Sequence, residues 1–84
     1  MKEGDLVQFK FFKGSSTNLD NLGIVLELQT DLIIPSKHGG ALYEKVDLMM
    51  VRWLKRESED FVPYYNITED GKRWYLQGQF YLLF

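Results

Sequence analysis

Apolar side chains recur at every second position in short runs along this chain. That period of two, repeated between turn-forming residues, is what most constrains the fold. Val7, Phe9 and Phe11 alternate with Gln8 and Lys10 after a Gly4-Asp5 turn. Leu22, Ile24, Leu26 and Leu28 alternate with Gly23, Val25, Glu27 and Gln29. Met49, Val51 and Trp53 alternate with Met50, Arg52 and Leu54. Successive side chains of a strand leave opposite faces, so each run reads as a strand with one face toward a core. Windows of about 11 residues show no helical stripe anywhere.

Strands are accordingly expected over residues 6–12, 22–29, 48–54, 61–67, 72–77 and 79–84. Residues 13–21 (KGSSTNLDN) are rich in turn formers and read as a loop. Pro63 suggests an edge position for its strand, and Glu69-Asp70-Gly71 reads as a hairpin turn. Gly23 inside an apolar pattern predicts a bulge or a close backbone approach, and Gly78 a break or bulge. Residues 30–47 read as one long loop, because Pro35 stops a ladder and His38-Gly39-Gly40 make a flexible tip. Structureless loops beyond about 12–15 residues are uncommon unless functional. Either a short strand is hidden at residues 32–34 or the segment is a binding loop; residues 41–46 could also form one helical turn. The expectation is a single all-β domain over residues 1–84, with five or six antiparallel strands.

A chain of 84 residues needs large side chains to build a sufficient core. It has them: hydrophobic residues are 45%, and two Trp, five Tyr and six Phe supply the rings. At 150–250 Å² per buried ring, each contributes on the order of 4–6 kcal/mol of gross stabilisation. There is no cysteine, which excludes disulfides, zinc–thiolate sites and thiol nucleophiles. The net charge of −2 argues mildly against non-specific nucleic-acid binding. No stretch approaches about 18 consecutive apolar residues, so no membrane span is expected. The opening MKEGDLV has two acids and no apolar run, unlike a signal peptide. A cytoplasmic location is the expectation.

Gly-Asp-Leu-Val at 4–7, Leu-Gly-Ile-Val at 22–25, Val-Arg-Trp at 51–53, Trp74-Tyr75 and the closing Tyr81-Leu82-Leu83 form an ordered set of short motifs. In that order they resemble SH3-like barrels of the KOW and Tudor type. They are similar in particular to small SH3-like proteins encoded by tailed phages of marine bacteria. The resemblance implies a barrel whose last strand closes it near the C-terminus, and a host-cytoplasm or virion setting. It implies no reaction. The long segment 30–47 and the stretch 55–72 depart from the minimal pattern.

Candidate chemistry is sparse. His38 is the only histidine, with Asp31, Glu44 and Asp47 the nearest acids, a poor ligand set for a metal. Ser15, Ser16 and Thr17 lie near Gly14 but lack the rest of a phosphate-cradling pattern. Glu57, Glu59, Asp60, Glu69 and Asp70 fall in polar turns, where solvation explains them. No catalytic residue, metal ligand or cofactor is therefore assigned, and the chain reads as non-enzymatic. Two binding readings remain. Phe11-Phe12, Tyr64-Tyr65, Trp74-Tyr75 and Phe80-Tyr81 are adjacent pairs, so each should set one ring outside a single-layer barrel. Phe12, Tyr64, Tyr65, Tyr75 and Tyr81 are the candidate rings for self-association or a protein partner, together with an apolar edge at residues 80–84. In the alternative, Arg52, Lys55, Arg56, Lys72 and Arg73 form a basic strip among aromatics that takes single-stranded nucleic acid.

Overall fold

The two longest strands form a single antiparallel hairpin. β2 runs Leu22–Pro35 and β3 runs Tyr43–Trp53, paired from Gly23↔Trp53 out to Pro35↔Tyr43. The structure is a computed structural model that describes residues 1–10, 21–36 and 42–83. Within it, the segment expected to be a long loop over residues 30–47 is mostly ladder, with strand on both sides of the tip and no helical turn in the described part of residues 41–46. Pro35 is tolerated because it stands at the end of the strand.

Two bulges explain why the sequence hid this hairpin. Between Val25 and Glu27 the register slips by one residue, and it slips again between Gln29 and Leu32. Each inserted residue reverses which face the next side chain takes. Leu28 therefore packs with Val25, and not with Ile24 and Leu26 as strict alternation predicts; Leu26 is exposed. At the second bulge Asp31 adopts φ 59°, a left-handed backbone that Asp tolerates better than most residues. Its N–H donates to Asp47 Oδ1 at 2.8 Å, so the partner strand holds the bulge.

The remaining strands extend the sheet on both sides. β1 is Leu6–Phe9, β4 Asn66–Ile67, β5 Arg73–Leu76 and β6 Phe80–Leu82. The order across the single sheet is β4-β5-β3-β2-β1-β6, with every recorded pairing antiparallel. The fold is all-β, as expected. A 3₁₀ turn, Gln77–Gln79, joins β5 to β6, and Gln77 Nε2 donates to the Leu48 carbonyl at 2.9 Å. The segment expected as strand over residues 61–67 is reduced to β4, because one helical turn, α1 (Ser58–Phe61), precedes it. The Asp70-Gly71 turn forms as expected, with Gly71 at φ +84° and Thr68 N–H donating to the Lys72 carbonyl at 2.8 Å.

The sheet has apolar clusters on both faces. The main core joins Val7, Phe9, Val25, Met49, Val51, Trp53, Tyr75 and Phe80, closed by Val62 from the segment after α1. On the other face Leu48, Met50 and Trp74 pack with Leu32, Val46, Tyr65 and Leu76.

Two stability outcomes follow. Gly23 is buried where β2 crosses β3, and an added Cβ would overlap Val51 Cγ1 and lie 3.2 Å from the Arg52 carbonyl oxygen. Gly23→Ala is expected to destabilise by about 1–3 kcal/mol, as overpacking does, seen as a lower urea midpoint. The Ser58 hydroxyl is buried with no hydrogen-bond partner among the described residues. Ser58→Ala should raise the midpoint by an amount worth about 1 kcal/mol, since an unmet buried hydroxyl is removed.

Candidate interaction surface

The candidate rings are placed very differently from one another. Phe12 lies outside the described residues. Tyr75 is 2% exposed and belongs to the core, so it is no surface ring. The expectation that one of the Trp74-Tyr75 pair faces solvent fails because the second cluster covers Trp74. Tyr65 is half-buried in that cluster, and its hydroxyl donates to Glu44 Oε1 at 3.4 Å. Desolvation, then the Glu44 carboxylate, hold its phenol above the usual value. Tyr64 is exposed with the Arg73 guanidinium 4.9 Å from its ring centroid. Tyr81 is 53% exposed, and the Lys10 ammonium sits 5.1 Å from its centroid.

The basic residues are dispersed. Arg52 is exposed on the face of β3 opposite Val51 and Trp53, and Lys55 and Arg56 stand in the exposed turn after β3. Lys72 Nζ lies 3.7 Å from Asp70 Oδ2. Arg73 donates to the Glu59 carbonyl at 2.6 Å and stacks on Tyr64, pinning α1 to the start of β5. The β3–β5 ladder comprises only Leu48↔Leu76 and Met49↔Tyr75, so Arg52 is not paired across to Lys72.

His38 and Ser15, Ser16 and Thr17 lie outside the described residues. Glu57, Glu59, Asp60, Glu69 and Asp70 are all exposed. Thr68 Oγ1, which hydrogen-bonds Asp70, is the main cause holding the Asp70 carboxyl below the usual range. Among the described residues no group of three or more His, Cys, Asp or Glu could hold a metal ion. Among the same residues no helix is long and apolar enough to cross a membrane.

Two of the apolar surfaces that reach solvent lie on strands of the sheet and its long hairpin. The first is the β6 edge, where Tyr81 and Leu82 are half-exposed and Leu83 follows them. Residues 80–84 signalled this one by composition. The second is the distal part of the β2–β3 hairpin, where Ile33, Tyr43 and the 85%-exposed Leu42 project. Sequence reasoning missed these three because it read their segment as a loop; the run Leu32-Ile33-Ile34 was the available signal.

Within the core, Trp53 Nε1–H donates to the Tyr75 hydroxyl at 3.1 Å. Burial raises the Tyr75 phenol above its ordinary value, against a smaller opposing pull from the Trp53 hydrogen bond and the Arg73 charge. In the unfolded chain this phenol ionises near 10. Stability from keeping it neutral is full below that pH and is lost as pH rises toward the folded value. A titration read by phenolate absorbance should show a late component, shared with Tyr65, that shrinks in Tyr75→Phe. The same variant strands the Trp53 N–H and should cost about 1–3 kcal/mol of stability.

Comparison of the chain with protein-family models, with curated proteins and with solved structures found no match.

Proposed function

We propose that the protein is a non-enzymatic docking domain, of the small SH3-like barrel type, that pairs with a second copy through the open edge of β6. The barrel reading is supported by where the quoted motifs fall. Gly4-Asp5 precedes β1, Gly23-Ile24-Val25 lies on β2, Val51-Arg52-Trp53 ends β3, and β6 returns to pair with β1.

The contrast between edges carries the docking reading. Exposed strand edges invite pairing, and proteins blunt them with charges, prolines, bulges or short length. β4 is two residues long. Beyond Ile24, where β1 stops covering it, β2 has both bulges, Asp31 and Pro35. The outer part of β3 carries Glu44, Lys45 and Asp47. β6 is also short, at three residues, but it carries no charge, proline or bulge: it is Phe80-Tyr81-Leu82, followed by Leu83, and among the described residues it pairs with β1 alone. Two β6 strands meeting antiparallel about a two-fold axis would continue the sheet across both copies and cover Tyr81 and Leu82. The nucleic-acid reading has less support, because Arg52 is not paired across to Lys72 and the net charge is −2.

Light scattering at micromolar concentration is expected to give the mass of a dimer. Leu82→Lys places a charge on the edge and should raise the dimer Kd by about tenfold or more, equivalent to ~1.4 kcal/mol. A monomer at every concentration, or a dimer indifferent to Leu82→Lys, overturns the proposal.

A further inference from the structure

β3 and β5 part company after Met49↔Tyr75, and a cleft of about 320 Å³ opens between them. Its walls include Leu26, Met50 and Val51, and its polar lining is Glu59, Lys72, Arg73 and Tyr75. Leu26 reaches it because it follows the core residue Val25 and leaves the opposite face of β2. The cleft thus combines an apolar wall with a small convergent polar set, the composition of a small-molecule site.

Tyr75 gives the cleft its direction. Its hydroxyl oxygen already accepts from Trp53, which can only donate. The hydroxyl hydrogen has no acceptor among the described residues, although the side chain is 98% buried by its 2% exposure. That leaves the phenol one donor for an occupant that brings an acceptor. Tyr75 lines the cleft together with Arg73, Lys72 and Glu59. Arg73 uses one N–H on the Glu59 carbonyl and retains other donors of its fork. Lys72 is held only by an exposed pair with Asp70, of a kind worth 1 kcal/mol or less, and can be re-aimed. Two cations against one carboxylate leave the lining net positive.

We infer that this cleft binds a small organic carboxylate, with Tyr75, Arg73 and Lys72 holding the carboxylate and Leu26, Met50 and Val51 packing against its apolar body. A carboxylate suits the site because the planar Arg fork and one O–H supply donors for two oxygens. Glu59 opposes the ligand's charge and tunes the affinity downward. The site is independent of the β6 edge: its residues come from β2, β3, α1, β5 and the turn before β5.

Titration of the isotope-labelled full chain with benzoate, followed by amide chemical shifts, tests this, with benzyl alcohol as the uncharged control. Benzoate at millimolar concentration should shift the amides of Leu26, Met50, Val51 and residues 71–75 saturably, while benzyl alcohol should leave them in place. Lys72→Gln should weaken binding about threefold, in line with an exposed charge contact. Tyr75→Phe should weaken it about tenfold. Glu59→Gln keeps the backbone carbonyl that Arg73 uses and should tighten binding. Lys72→Gln and Glu59→Gln change exposed side chains only, so they report on the site even if Tyr75→Phe loosens the core. Absent shifts at these amides, an equal response to benzyl alcohol, or affinity unchanged in Lys72→Gln and Glu59→Gln overturns the inference.

Discussion

The contact between Trp53 and Tyr75 holds together strands that the chain supplies far apart. The two rings meet edge to face at 5.4 Å, and the indole N–H bonds the phenol oxygen at 3.1 Å. Phe80 joins both, 5.9 Å from Trp53 and 6.0 Å from Tyr75, and Phe9 meets Phe80 at 5.5 Å. One cluster therefore links β3, β5, β6 and β1. Aromatic pairs of this geometry contribute about 0.5–1.5 kcal/mol each beyond the area they bury. In a chain without disulfides, such a cluster does the work of a covalent staple. The hydrogen bond adds specificity, because each partner would otherwise be a buried polar group without its match.

Around that cluster the sheet is shaped by its irregularities. The first bulge in β2 returns Leu28 to the face of Val25, and the second, clamped by Asp47, sets Leu32 and Val46 against the other cluster. The molecule is correspondingly elongated, 42 × 25 × 25 Å. The same irregularities protect the long hairpin from edge pairing, since a bulged strand with Asp31 and Pro35 is a poor template. Regular β6 has no such protection. Shape, edge chemistry and the proposed docking surface thus have one origin, in where the ladder is allowed to be regular.

The strands that keep strict alternation were readable from sequence, because burial of one face imposes a period of two that nothing disturbs. β1, the core half of β3 and the Asp70-Gly71 hairpin are of this kind. Gly23 was readable as a close approach. β2 beyond Val25 was not, because two inserted residues reverse the facing twice and turn one long strand into three short patterns. Among the candidate rings, Tyr81 reaches solvent as expected and Tyr75 does not. Adjacent residues on a strand do point apart, yet a second cluster covers the other face here, so both rings of the Trp74-Tyr75 pair are buried. Arg73 read as part of a basic strip, and its guanidinium meets a backbone carbonyl and a ring that only folding brings near.

By itself the sequence determined that this chain is all-β, that aromatic side chains carry its core, and that neither thiol chemistry nor a disulfide takes part; period and composition are local properties. Tertiary structure decided which rings are core and which are surface, which edge is left open, and which cations line the cleft with Tyr75. Those outcomes depend on register and on what covers each face, and register is set by pairings between residues distant in the chain, where one inserted residue exchanges inside for outside.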